Sequence, residues 1–93
     1  MKKAEALEFA ILGTLQDGPA HGYELRKRLS QLLGMFQALS FGSLYPTLKT
    51  LVSRGDITEQ TDDTSSRRRI VYTITENGSK RFHDLLTNSA ISA

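Results

Sequence analysis

The spacing of apolar residues changes at Gly55, and that change predicts a helical part followed by a β-hairpin. Before Gly55, apolar residues recur at intervals of three and four, which predicts helices over about 4–16, 21–33 and 41–54. After it, the segments 57–60 and 70–74 have the composition and alternation of antiparallel strands, separated by a polar, turn-forming stretch. Thr75 can then cap a last helix over about 75–88.

The predicted order of elements, α-α-α-β-β-α, describes a mainly α protein with a small β-hairpin (α+β). Two helices joined by a short connection and followed by a hairpin with a basic tip form a winged helix-turn-helix. A chain of 93 residues, 39% of them hydrophobic, is long enough for one such DNA-binding domain, over 1–93. The predicted core consists of apolar residues that share a face: Leu7, Ile11, Leu15, Leu25, Leu29, Leu44, Leu48, Leu51, Ile57 and Ile74.

The third helix contains an unusual stretch, GSLYPTLKTL at 42–51. A proline deep in a helix removes a hydrogen bond and clashes with the preceding turn, so we expect Pro46 in or near the first turn. The helix would then begin between Ser40 and Ser43, either of which can cap it. With its leucines in the core, it would present polar residues that a DNA major groove can receive: Ser43, Tyr45, Thr47, Lys49, Thr50 and Ser53. Alternatively, Tyr45 packs against the second helix and Lys49 is solvated.

Positive charge is concentrated in two parts of the chain. Residues 20–55 contain five basic residues against one acidic residue, and residues 67–81 contain the same numbers, a net +4 in each. Arg67, Arg68 and Arg69 lie where the hairpin loop enters its second strand, so they could meet phosphates or enter a minor groove. Such segregation is what a polyanion-binding surface requires, although a solvated basic face on a small domain gives the same pattern.

Several functions have little support in the sequence. The chain contains no cysteine, which excludes disulfides and thiolate metal sites. His21 and His83 are far apart and neither accompanies a carboxylate pair or a nucleophile motif, so we predict no enzyme, no metal and no cofactor. His21 is instead expected to make local hydrogen bonds at the start of the second helix. Glu5 and Glu8 interrupt the apolar start, which argues against a signal peptide or membrane span and favours a cytoplasmic protein.

Two other binding functions stay open at this point. The leucine-rich helix faces and the hairpin could dock another protein, with no nucleic acid involved, and charge segregation argues only moderately against this. Salt dependence distinguishes the alternatives, because affinity for DNA phosphates falls steeply as salt rises. RNA binding is less favoured, because the sequence offers no evident aromatic platform on which bases could stack.

Three separated motifs, GPAHGYEL at 18–25, GSLYPTL at 42–48 and YTITENG at 72–78, occur in the order found in the PadR family of bacterial transcription regulators. The chain resembles this family from about Leu7 to Leu86. The resemblance implies a repressor that binds pseudo-palindromic double-stranded DNA as a homodimer, with 41–54 as recognition helix and 61–69 as wing. Together with the arguments above, it predicts these DNA-binding residues: Tyr23, Ser43, Tyr45, Pro46, Thr47, Lys49, Thr50, Arg67, Arg68 and Arg69.

The resemblance also implies roles for two tyrosines and for the last helix. Tyr23 and Tyr72 match the family, and Tyr23 would serve either the DNA backbone or the core. Relatives extend the last helix or add a C-terminal helical domain that dimerises and often binds a ligand, so the helix at about 75–88 would correspond to the beginning of such a segment. Dimerisation through the first and last helices is the alternative. A small-molecule inducer is implied only generally, because the sequence does not specify its identity.

Overall fold

The computed structural model describes residues 3–33, 37–63 and 69–92. The elements in these residues are α1 (Lys3–Leu15), β1 (Ala20–His21), α2 (Gly22–Leu33), α3 (Gln37–Arg54), β2 (Ile57–Asp62), β3 (Arg69–Ile74) and α4 (Glu76–Ser92). The predicted α+β winged helix is confirmed. The predicted order lacks one element, the short strand β1, and α2 begins at Gly22 rather than at His21.

The sheet has three antiparallel strands in the order β1-β3-β2. In the hairpin, β2 pairs with β3 from Ile57↔Ile74 to Asp62↔Arg69, so both strands are longer than predicted. On the other side of β3, Ala20 pairs with Tyr72 and His21 with Val71. A strand of two residues produces no alternating pattern, which is why the sequence did not predict it. Its pairing fastens the start of α2 to the wing.

Helix α1 is central to the core, because α2, α3, α4 and β3 all pack against it. Nine of the ten predicted core residues are buried, and the tenth, Ile74, is partly buried against them. Three buried residues of the cluster were not predicted: Leu12, Ala20 and Tyr72. Leu12 lies outside the single stripe assigned to its helix and is nevertheless fully buried, because α1 has neighbours on more than one side.

The prediction that Pro46 lies in the first turn of its helix is wrong. Helix α3 begins at Gln37, upstream of both Ser40 and Ser43, and Pro46 lies in its interior. Pro46 therefore has no N–H to donate to the carbonyl of residue 42, a local cost of about 3 kcal/mol. Burial of Leu44, Leu48 and Leu51, each at most 1% exposed, stabilises the same helix by about 1.5–3 kcal/mol per side chain. Tertiary packing outweighs the local cost.

A helix end at Gly55 and a helix cap at Thr75 lie on either side of the hairpin formed by β2 and β3. Gly55 ends α3 with a φ of 82°, which glycine adopts readily, and the N–H of Asp56 donates to the carbonyl of Leu51 at 2.9 Å. At the other end, Thr75 caps α4 as predicted, because Gly78 N donates to Thr75 Oγ1 at 3.1 Å. Thr75 N also donates to the carbonyl of Asp56 at 3.0 Å, which joins the two ends.

A buried carboxylate ties three helices together. Glu8 on α1 is 5% exposed and accepts hydrogen bonds from Arg54 Nη1 at the end of α3 and from Arg81 Nη2 on α4, the latter at 3.0 Å. Arg81 Nε lies 3.8 Å from the Oδ2 atom of Asp56. A buried charge requires such partners, because desolvation without them is costly. Glu8 therefore fixes α4 and the end of α3 on α1.

Candidate nucleic-acid interface

The outward face of α3 carries most of the residues predicted to bind DNA. Helical spacing places Leu44, Leu48 and Leu51 in the core and turns the intervening positions away from it. Thr47 is half-buried. The exposed residues of this face are Ser43, Tyr45, Pro46, Lys49, Thr50 and Ser53.

A cleft of about 870 Å³ lies between the start of α2, the outward face of α3 and the wing strands. Ten residues line it: His21, Gly22, Tyr23, Glu24, Tyr45, Lys49, Glu59, Arg69, Ile70 and Tyr72. The first four belong to the motif at 18–25, the next two to the motif at 42–48 and its continuation, and Tyr72 begins the motif at 72–78. The fold therefore brings the three motifs, far apart in sequence, to one place.

Gly22 is the point where these motifs touch. A Cβ atom at Gly22 would lie 3.6 Å from Tyr45 Cε1 and 3.6 Å from Tyr72 Cε2. The sequence left open whether Tyr45 packs against the second helix or faces outward. It does both, because one edge of its ring lies beside Gly22 while the residue stays 49% exposed.

The other two tyrosines of the cleft have opposite environments. Tyr23 is 72% exposed, so it belongs to the surface rather than to the core. Tyr72 is 5% exposed and forms the floor of the cleft beside the core. Burial raises the pKa of the Tyr72 phenol, and the negative charge of Glu59, its partner across the strands, raises it further. Tyr72 is therefore a neutral packing residue at physiological pH.

The charges of the cleft are mixed. Lys49 and Arg69 contribute positive charge, whereas Glu24 and Glu59 contribute negative charge. Glu24 is also engaged outside the cleft, because Arg28 Nη2 lies 3.8 Å from its Oε2 atom. The sequence did not predict carboxylates here, since their position depends on how α2 and the wing pack together.

His21 connects the start of α2 with the wing. Its Nδ1 lies 2.8 Å from Glu24 Oε1, its backbone N–H donates to the same oxygen at 3.3 Å, and its Nε2 lies 3.4 Å from Asp62 Oδ2. The hydrogen bond to Glu24 raises the pKa of His21, and the bond to Asp62 raises it further, while the positive charge of Arg69 opposes both. The bond from His21 correspondingly lowers the pKa of Glu24. The predicted local hydrogen bonding is confirmed, and the contact with Asp62 is additional.

Four further residues were predicted to bind DNA, and the structure describes two of them. Thr50 Oγ1 donates to the carbonyl of Pro46 at 3.1 Å, so its hydroxyl proton is engaged within the helix and its oxygen stays available as an acceptor. Arg69 is exposed and lies opposite Asp62 in the hairpin. Arg67 and Arg68 lie outside the described residues, and their role stays a prediction.

Within the described residues, no group of three histidine, cysteine, aspartate or glutamate side chains could hold a metal ion. None of the helices described is long and apolar enough to cross a membrane.

Known proteins are similar to this chain in both sequence and architecture. The model of the "Transcriptional regulator PadR-like family" matches residues 11–84. The negative transcriptional regulator PadR of Bacillus subtilis (strain 168) is 35% identical over 81 residues, which cover 86% of this chain and 44% of that protein. The chain thus spans less than half the length of this curated relative.

Two solved structures extend the comparison. The crystal structure of Bacillus subtilis PadR in complex with operator DNA superimposes with a TM-score of 0.76 and 34% identity, covering 87% of this chain and 47% of that one. The structure of TA0346 from Thermoplasma acidophilum has a TM-score of 0.75 and 33% identity over 96% of this chain and 88% of its own length. Both share the winged helix-turn-helix described above.

Proposed function

Because this chain belongs to the PadR-like family of transcriptional regulators, we propose that it is a sequence-specific DNA-binding regulator that inserts the outward face of α3 into a major groove. The observation that carries the proposal is the cleft, where the exposed face of α3 meets the wing and the start of α2. A single duplex can contact these three elements at once. A related protein, PadR of Bacillus subtilis, has been crystallised with operator DNA.

Base recognition is assigned to the exposed face of α3. Lys49 is long enough to reach a guanine edge or a phosphate, while Ser43 and Thr47 offer short hydrogen bonds to base edges. Tyr45, half exposed and packed beside Gly22, can present its ring to a thymine methyl group without losing much side-chain freedom. Pro46 and Thr50 lie on the same face and can approach the sugar-phosphate backbone closely.

Backbone contacts are assigned to the two flanks of the cleft. Tyr23, on the α2 side, is 72% exposed, and its hydroxyl can donate to a phosphate. Arg69 lies on the wing side, and we include Arg67 and Arg68 with it because arginines there would meet phosphates or the minor groove. Contacts on both flanks would fix the register of α3 in the groove.

A dimer is the proposed binding unit. Two recognition helices in successive major grooves require half-sites about 10 bp apart, which matches pseudo-palindromic DNA. An apolar patch on α1 and α4 supports a second copy: Phe9 and Phe82 are partly exposed and stack with ring centroids 5.0 Å apart, and Leu86 is 47% exposed. Repression follows if the dimer occupies promoter DNA that RNA polymerase requires. A protein with this role would act in the cytoplasm.

The test is binding to the duplex directly upstream of the chain's own gene, titrated at several salt concentrations beside a scrambled duplex. We expect preference for the upstream duplex and a steep loss of affinity with salt. Lys49→Ala should weaken binding by about 1–3 kcal/mol if it contacts a base, or lower the salt slope by about 1 if it contacts a phosphate. Lys80→Ala removes the same charge from α4, outside the cleft, and serves as the control.

The outcomes separate this proposal from protein docking. Equal, weak binding to both duplexes would leave only charge-driven association and contradict sequence-specific recognition. Absence of DNA binding at low salt would favour a winged helix that docks another protein. If Lys49→Ala and Tyr45→Ala both bind like the parent, α3 is not the recognition helix.

A further inference from the structure

We propose that His21 is a positioning residue for DNA binding, because its imidazole joins Glu24 at the start of α2 to Asp62 in the wing and thereby sets the wing relative to α3. The inference rests on the proposed function, in which α3 and the wing contact one duplex. His21 itself needs no contact with DNA, since it acts through the two strands of the wing.

The topology explains why such a link matters. The sheet order is β1-β3-β2, so β1 and β2 both pair with β3 and not with each other. His21 lies opposite Val71, whereas Asp62 lies opposite Arg69, two residues away along β3. The contact between His21 Nε2 and Asp62 Oδ2, at 3.4 Å, therefore crosses β3 and connects the outer strand of the wing to the helix-turn-helix.

The two ring contacts can be complete together only when the imidazole is protonated. Both ring nitrogens face carboxylate oxygens, at 2.8 Å for Glu24 and 3.4 Å for Asp62. A protonated imidazole has two N–H donors, one for each carboxylate, whereas a neutral imidazole has one. Loss of the proton therefore breaks one contact and points a nitrogen lone pair at a carboxylate.

Charged groups on four elements act on this ring or line its cleft. Glu24 on α2 and Asp62 on β2 favour the protonated form, while Arg69 on β3 disfavours it. Lys49 of α3 lines the same cleft. Because the attraction of the two carboxylates prevails, the pKa of His21 is raised. The bridge is therefore complete below the ordinary histidine pKa and is lost as pH rises through the higher value in the folded protein.

DNA affinity should consequently depend on pH over the range in which histidine titrates. DNA phosphates keep their charge between about pH 6 and pH 8, so a change in this range reports on the protein. We expect the affinity of the parent chain to fall about 3- to 10-fold across it, the range that one lost hydrogen bond produces. Protonation also adds a positive charge beside the cleft, which acts in the same direction.

The experiment compares pH profiles of DNA affinity for the parent, His21→Gln and His83→Gln. Glutamine can form hydrogen bonds but does not titrate, so His21→Gln should give a flat profile. His83→Gln removes the other histidine, on α4, and should retain the profile of the parent. A parent profile that is flat, or that His21→Gln leaves unchanged, would overturn the proposal.

A measurement on the free protein separates this inference from the proposed function. The titration of the His21 ring, followed by NMR, should shift to lower pH in Asp62→Asn and in Glu24→Gln. If the chain binds no DNA at any pH but Asp62→Asn lowers the pKa, the bridge exists and the DNA-binding proposal fails. If Asp62→Asn leaves the titration unmoved, the link to the wing is absent and the inference fails even where DNA binding is established.

Discussion

Replacement of Gly78 by alanine should destabilise the domain, although alanine is the better helix former. Gly78 is buried near the start of α4, where α4 passes the turn between α3 and β2. A Cβ atom at Gly78 would lie 2.0 Å from the carbonyl oxygen of Asp56 and 2.9 Å from Ile74 Cγ1. Real Cβ atoms essentially never approach another atom closer than 3.0 Å, so α4 or the turn must withdraw by about 1 Å.

The size of the effect follows from the hydrogen bonds at the same place. The Asp56 carbonyl accepts from Thr75 N at 3.0 Å and from Thr75 Oγ1 at 2.9 Å, and Thr75 Oγ1 accepts from Gly78 N at 3.1 Å. A weakened cap costs about 1 kcal/mol and overpacking about 1–3 kcal/mol, while helix propensity contributes at most about 1 kcal/mol in the opposite direction. The net loss is about 2 kcal/mol, which lowers Tm by about 8–16 °C in a domain of this size.

Thermal unfolding followed by far-UV circular dichroism measures this loss. The matched control is Gly22→Ala, whose Cβ would lie at ordinary contact distances of 3.6 Å from Tyr45 and Tyr72 and should leave Tm within about 4 °C of the parent. A Gly78→Ala variant as stable as the parent would refute the packing argument. Equal losses in both variants would mean that the close approach to Asp56 is not the cause.

Three further changes test other contacts. Arg54→Ala combined with Arg81→Ala leaves Glu8 buried without its cations and should lower the free energy of unfolding by about 3–5 kcal/mol. Glu8→Met leaves two partly exposed arginines instead and should cost little. Urea unfolding of both variants checks this order. Thr75→Ala removes the cap of α4 and should cost about 1 kcal/mol in the same assay, with Thr75→Ser close to the parent. Folding raises the pKa of His21, so the stabilising contribution of this residue is complete below the ordinary histidine pKa and is lost as pH rises through the pKa in the folded protein. The difference in urea midpoint between the parent and His21→Gln should therefore shrink between about pH 6 and pH 8.

Local spacing was sufficient to predict most of the fold. The leucines of α3 repeat at the helical interval, which fixed its buried face, and Thr75 precedes its helix in the position that a cap requires. The predicted start of α3 is wrong because burial of the neighbouring leucines outweighs the local cost of Pro46. Strand β1 was missed because its only signal is its pairing with β3, which lies some 50 residues further along the chain.

The candidate site was predictable to a smaller extent. Exposure of Tyr45 and Lys49 follows once the leucines of α3 are assigned to the core. The position of Glu59 in the cleft and the contact between His21 and Asp62 do not follow from any local pattern, because both depend on how the wing packs beside α2. Such contacts join residues about 40 apart in sequence.

The contacts of the three motifs divide their residues into two groups with different consequences. Gly22, Tyr72 and Gly78 lie in packed surroundings: Gly22 lies beside the buried Tyr72 with room for a Cβ atom, whereas Gly78 passes Asp56 too closely for one. Tyr23 and Lys49 are exposed, and substitution there leaves the core unchanged. Gly22 of the first motif lies beside Tyr45 of the second and Tyr72 of the third. Packing alone therefore links the three motifs. A chain that keeps the first group and changes the second should therefore keep this fold. Under the proposed function, a change at Lys49 would alter base recognition, whereas a change at Tyr23 would weaken binding to every sequence.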